Sequence, residues 1–232
     1  KECERAVKPS THRKYRISFE SIQKITGDAY MSRITAGYIR QRFIKSGEEN
    51  RSLNGFLKIF KTFWRWAYRN DFVKSCEVAE KLSPFQDTPR KARIQDKYLE
   101  PAELSILLDS MTEERHRLIV EFLSLSGLRI GEFVALTKSD VTDEYIRVSK
   151  TYDANNKVIT SAKTYSSKRD VYIQSELKDC IARINEYGKK PAEICGYTSM
   201  LFFPDTDGSY FRYYTFRKYL SDCSWKVLHK IA

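Results

Sequence analysis

The feature that most constrains this fold is one amphipathic run, from Arg51 to Asn70. Leu53, Phe56, Leu57, Phe60, Phe63, Trp64 and Ala67 recur at steps of three and four, so a helix gathers them on one face. A face so rich in large side chains needs other helices to cover it, and the flanking sequence offers them. Ser10-Thr11 reads as the cap of a helix to about Ile25, with Tyr15, Ile17, Phe19, Ile22 and Ile25 on its core side and Gly27-Asp28 ending it. Thr35 caps a second helix carrying Tyr38, Ile39, Phe43 and Ile44, residues 47–50 form a loop, and a short helix near Val78–Leu82 closes the bundle before Pro84.

The other face of the long helix is the first pointer to function. Arg51, Asn54, Lys58, Lys61, Arg65 and Arg69 follow one another at three- and four-residue steps, and no Asp or Glu interrupts them. A solvated charged face is the ordinary reading of such a stripe, but salt-bridged faces mix signs. An unopposed run of cations suits a helix lying along or in a DNA groove. The charge balance points the same way. The chain carries +11 overall, and residues 1–100 hold 22 Lys+Arg against 12 Asp+Glu, whereas residues 101–232 hold 19 against 18. A surplus confined to one half is the footprint expected for a polyanion partner, with a merely soluble basic surface or an anionic membrane as the competing readings.

Other classes fit less well. No stretch approaches the roughly 18–20 apolar residues that span a bilayer, and no apolar signal-peptide core follows Lys1-Glu2-Cys3-Glu4-Arg5. That start lacks Met, so further residues are expected in front of it. Cys3, Cys76, Cys180, Cys195 and Cys223 form no CxxC pair and have no His at zinc-ligand spacing. They read as free thiols in a reducing compartment, and no metal is assigned. Nor is there a P-loop, so no nucleotide cofactor is expected.

Residues 86–97 lack periodicity and are rich in charge, which reads as a basic linker between a helical domain at 1–85 and a second domain at 98–232. The second domain mixes elements. Pro101 opens a helix through about Met111, another runs roughly from Glu114 to Ser126, and a short one ends at Leu136. Three strand-like segments follow at Tyr145–Lys150, Val158–Tyr165 and Arg169–Ile173, with a turn at Asp153-Ala154-Asn155-Asn156 between the first two. A helix from about Ser175 to Tyr187, a short apolar piece at Ser199–Pro204 and a last helix from Tyr213 complete the order. The fold class is therefore mainly α with a small β-sheet.

Two cations stand in suggestive settings. Arg129, in Ser-Gly-Leu-Arg-Ile-Gly-Glu, lies at a helix start, where amides are free and a glycine lets the backbone come close to a ligand. A guanidinium there can take a phosphate through two parallel hydrogen bonds, and Glu132, one turn on, can hold it in place. An ordinary surface Arg–Glu pair is the alternative. Lys163, read as part of a hairpin with a polar tip, is either simply exposed or able to reach a DNA groove and act as a general acid.

Taken together these segments resemble the tyrosine recombinase (phage integrase) family, in order and over nearly the whole chain. Residues 9–85 look like its SAM-like core-binding domain, with Asn54 to Tyr68 as the most recognisable helix. Tyr98-Leu99-Glu100-Pro101-Ala102-Glu103-Leu104 resembles the opening of its catalytic domain. Leu125 to Leu136 is similar to its first catalytic box, Lys163 to Ile173 to its β-hairpin, and Phe202-Phe203-Pro204 to the segment after the following helix.

The resemblance implies an N-terminal helical bundle followed by part of an α+β catalytic domain. It implies that Arg129 clamps the scissile phosphate, Glu132 supports it, and Lys163 protonates the leaving 5′-hydroxyl while a tyrosine attacks phosphorus. It further implies a homo-oligomer that is tetrameric at synapsis, with duplex DNA as partner and no membrane or small-molecule substrate. The setting would be the cytoplasm of a bacterial or phage-infected cell. Two parts of the pattern are not found in these 232 residues: the second, His-x-x-Arg-like box and the tyrosine nucleophile that should follow it. Tyr210, Tyr213, Tyr214 and Tyr219 precede that place and read as packing or surface residues. His229 does not fit the box. A catalytic domain truncated at its C-terminus, inactive alone, is the expectation; a DNA-binding regulator of the same descent is the alternative.

Overall fold

The structure, a computed structural model, describes residues 7–87, 98–161 and 168–228, without the side chains of residues 190 and 191. Most of the expected linker and Lys163 lie outside the described residues, as does His229. The chain divides into two compact units, Lys1–Arg90 and Lys91–Ala232. Its described part is mainly helical, with a small antiparallel β portion.

The first unit contains α1 (Pro9–Thr26), a single 3-10 turn, α2 (Ala36–Lys45), α3 (Asn50–Arg69) and α4 (Glu77–Lys81). α1 starts one residue before the expected cap. Pro9 takes the first helical turn, where its missing N–H costs nothing, and neither Ser10 nor Thr11 caps the helix. Thr35 does cap α2, accepting from the Tyr38 amide at 3.1 Å. Leu53, Leu57, Phe60, Trp64 and Ala67 of α3 are buried as their spacing predicts, against Ile22 of α1, Ile39 and Phe43 of α2, and Ala79 and Leu82. Burial of each large apolar side chain contributes on the order of 1.5–3 kcal/mol. Two expected core residues are not in it: Ile17 and Ile44 are exposed. Ile17 lies five residues before the buried Ile22, so a 100° step per residue turns it well away from the core-facing side. Ile44 follows Phe43 directly and is likewise turned outward.

The second unit runs α5 (Pro101–Ser110), α6 (Glu114–Ser126), α7 (Ile130–Ala135), β1 (Tyr145–Val148), β2 (Lys150–Asp153), β3 (Val158–Ser161), β4 (Arg169–Tyr172), α8 (Ser175–Cys195) and α9 (Tyr213–Leu228). Gly127 ends α6 with a left-handed φ of 63°, which turns the chain into Arg129 and α7. α8 extends to Cys195, well past the expected stop at Tyr187, and is closed by Gly196 at φ 66°. Gly188, which sits inside it, weakens a helix by only about 1 kcal/mol. The core gathers Leu107, Leu118, Ile119, Phe122, Phe133, Ile146, Leu177 and Phe202.

The turn expected at residues 153–156 joins two paired strands. β2 pairs with β3, Lys150 opposite Ser161, and β1 pairs with β4, Val148 opposite Arg169. β1 and β2 are separated by Ser149 alone, and β3 and β4 each run antiparallel to their partner. Lys163 and the other residues at 162–167, on which the expected hairpin depends, lie outside the described residues. Periodicity does not give the β1–β4 pairing, because alternation fixes the face a side chain takes but not the neighbour a strand chooses.

Candidate functional site

Arg129 is the residue just before α7, with its side chain about three-quarters exposed, while Glu132 in the first turn is buried. The Glu132 carboxylate accepts four hydrogen bonds. Oε2 takes the Arg129 backbone N–H and Oε1 takes Arg129 Nη1, each at 2.9 Å. Arg169, at the start of β4, supplies the others through Nη1 to Oε1 at 3.1 Å and Nη2 to Oε2 at 2.9 Å. Burial pushes the carboxyl up, but hydrogen bonds from Arg169 and from the Arg129 amide and guanidinium outweigh it and hold the group at about 2 instead of 4.5. The same pairing raises the Arg169 guanidinium above its usual value. Glu132 is therefore a fixed anion at any physiological pH, and the guanidinium it holds faces solvent.

Gly131 permits a close approach, though not to a ligand. A Cβ there would stand 2.7 Å from Thr151 Oγ1 and 3.0 Å from the Tyr152 carbonyl oxygen, so the glycine lets α7 pack directly on β2. β2 is fixed in turn. Lys150 Nζ lies 2.7 Å from Asp140 Oδ2 and donates to Thr137 Oγ1 at 3.3 Å, and this contact helps hold the buried Asp140 carboxyl below its ordinary range against the opposing effect of burial. Arg129, Glu132 and Arg169 are thus brought together by the start of α7 and the start of β4, whereas Lys163 lies outside the described residues.

Sequence reasoning missed Arg169. In β4, Arg169 and Val171 share the less exposed face while Asp170 and Tyr172 point out. An arginine on the inward side of an alternating strand was the available signal. It also missed Arg115, whose guanidinium bonds Asp205 Oδ1 at 3.0 Å and the Pro204 carbonyl at 2.8 Å and lies over the Phe203 and Phe211 rings. That contact fixes the Phe202-Phe203-Pro204 segment. The C-terminal tyrosines pack as expected: Tyr210 stacks on Tyr152 at 4.5 Å, Tyr213 on Tyr214 at 4.4 Å, and the Tyr219 hydroxyl accepts from the amides of Thr112 and Glu113.

In the first unit the polar stripe of α3 divides into two kinds of residue. Asn54 Nδ2 donates to the Phe85 carbonyl at 2.9 Å and Oδ1 accepts from the Phe85 amide at 2.7 Å. Lys61 Nζ donates to the Leu82 carbonyl at 2.7 Å. These two therefore hold the segment after α4 against α3. Arg51, Lys58, Arg65 and Arg69 remain exposed, and Lys58, Lys61, Arg65 and Pro84 border an open groove of about 280 Å³. Among the described residues no cluster of His, Cys, Asp and Glu could hold a metal, and no helix is long and apolar enough to cross a membrane.

No family model matches the chain. A probable integrase of prophage ps2 from Lactococcus lactis is 32% identical over 130 residues, covering 50% of this chain and 33% of the relative. The chain thus spans about a third of the length of that curated relative. Among solved structures, a lambda integrase dimer on a COC′ core site matches 95% of this chain and 72% of its own with a TM-score of 0.65 and 19% identity. A Tn1549 transposon integrase bound to circular intermediate DNA matches 100% and 78% with a TM-score of 0.72 and 17% identity. The chain has the integrase fold, and the sequence match and fold together support the tyrosine recombinase family that the motifs resemble.

Proposed function

We propose that this chain binds duplex DNA and contributes part of the active site for site-specific recombination or integration. The observation that carries the reading is Arg129, an exposed guanidinium tied at one nitrogen to a buried carboxylate that is saturated with hydrogen bonds. Such a cation is oriented before any ligand arrives, which is what stabilising charge on a phosphoryl group requires. The exposed cations of α3 would grip the backbone of the duplex, and the related solved structures are themselves integrase–DNA complexes.

In the proposed chemistry a tyrosine oxygen attacks the scissile phosphorus while Arg129 neutralises the non-bridging oxygens. The 5′-oxygen leaves with a proton from Lys163, giving a 3′-phosphotyrosyl link that a second DNA hydroxyl reverses. Bond energy is conserved, so no nucleotide is consumed. The second arginine and the nucleophile are not recognisable in these 232 residues, so the reading assigns cleavage to a protein that supplies them alongside this sequence. Assembly would be a tetramer across two duplexes, as for the lambda integrase tetramer on a Holliday junction.

The test uses such a protein on a nicked duplex that traps the covalent intermediate. Arg129→Ala is expected to retain binding and to form no covalent complex. Normal trapping by that variant contradicts the assignment.

A further inference from the structure

Arg169 is a further member of this site. We propose that it is the positioning residue of the phosphate clamp, holding Glu132 so that Arg129 is presented in one orientation; this rests on the phosphate-binding reading of Arg129.

The Glu132 carboxylate stands at the centre of the cluster. Its two oxygens receive four hydrogen bonds, and two of them come from the Arg169 fork at 3.1 and 2.9 Å. The bond to the Arg129 guanidinium uses one nitrogen only. Arg129 is thus located by where Glu132 Oε1 stands, and that oxygen is located by Arg169. Among planar cations only a guanidinium can grip both oxygens at once and fix the carboxylate's rotation; a lysine ammonium is a point charge without that fork.

The chain path gives Arg169 a second consequence. Arg169 faces Val148 in the β1–β4 ladder and stands six residues after Lys163. The Arg169–Glu132 bridge therefore ties the start of β4 to the first turn of α7. Arg169 itself is about one-third exposed and has both terminal nitrogens engaged with Glu132, which suits a brace better than a DNA contact.

The experiment uses this chain labelled for NMR, with inorganic phosphate as the probe. The Arg129 Nε–H resonance reports side-chain order and phosphate binding, and the Glu132 carboxyl carbon reports titration. Arg169→Gln is expected to broaden or shift the Arg129 resonance, to raise the titration midpoint of Glu132, and to weaken phosphate binding at Arg129 fivefold or more. Arg169→Lys, which keeps the charge and loses the fork, is expected to recover the titration in part but not the order of Arg129, and it also serves if the Gln variant folds poorly. Wild-type order and affinity at Arg129 in both variants overturn the proposal. A wild-type Arg129 that ignores phosphate, yet loses its order in the variants, contradicts the phosphate reading while upholding the positioning role.

Discussion

Replacing Glu132 with Gln removes the charge at the centre of the Arg129–Arg169 cluster and keeps the volume. The carboxyl sits at about 2 in the folded chain against 4.5 for an unperturbed group. At about 1.4 kcal/mol per unit this is a difference of roughly 3 kcal/mol, and screening of the exposed Arg129 partner reduces it to about 2–3. The sign follows from the depressed folded value. The contribution is fully present above pH 4.5 and is lost as pH falls toward 2, where the native carboxylate is protonated as well. Near neutral pH, Glu132→Gln is thus expected to destabilise the second unit by about 2–3 kcal/mol, and the gap to wild type should narrow to under about 1 kcal/mol by pH 2. Hydrogen exchange in graded urea, read separately for peptides of each unit, measures this with the first unit as an internal control. A gap that stays constant from pH 7 to pH 2 would refute the electrostatic account of this cluster.

Three further outcomes follow from local geometry. Gly131→Ala should cost about 1–3 kcal/mol, because its Cβ meets Thr151 and the Tyr152 backbone, and Gly127→Ala about 1 kcal/mol from its left-handed φ alone; thermal melting that ranks them the other way contradicts the packing of α7 on β2. Burial pushes the Cys180 thiol up to about 12 while Cys195 is exposed, so a thiol reagent should label Cys195 in the folded chain and reach Cys180 only on unfolding; rapid native labelling of Cys180 counts against that core. Asn54→Ala should destabilise the first unit by about 1–2 kcal/mol through the two lost bonds to Phe85, whereas Arg65→Ala should change it by under about 0.5 kcal/mol; equal losses by urea unfolding contradict the division of the stripe.

The helices were largely legible because their signals are local. The 3.6-residue period of 51–70, the cap at Thr35 and the left-handed glycine at 127 each act within a few residues of the atoms they organise. Arg129 and Glu132 were legible for the same reason, being three residues apart. What was not legible depends on contacts far apart in sequence. The Arg169–Glu132 bridge joins a strand to a helix 37 residues away, and Asn54 meets Phe85 across 31. The turn joining β2 to β3 was legible, but the β1–β4 pairing escaped for a related reason: alternation fixes which side chains face inward but not which neighbour a strand chooses. Asn54 and Lys61 illustrate the cost of treating a stripe as a unit. Their spacing is that of the exposed cations, yet the return of residues 82–87 across α3 gives them structural partners.

The proposed DNA binding depends on the exposed cations of α3 meeting DNA phosphates, and the salt dependence of duplex binding by this chain tests that most directly. Each phosphate contact removed lowers the log–log slope by about 0.9. Changing Lys58, Arg65 and Arg69 together to Gln, all exposed and free of the loop contacts that Asn54 and Lys61 make, is predicted to weaken binding at moderate salt and to reduce the slope by roughly 2–3. An unchanged slope and affinity in that triple variant, with its melting preserved, would contradict the account.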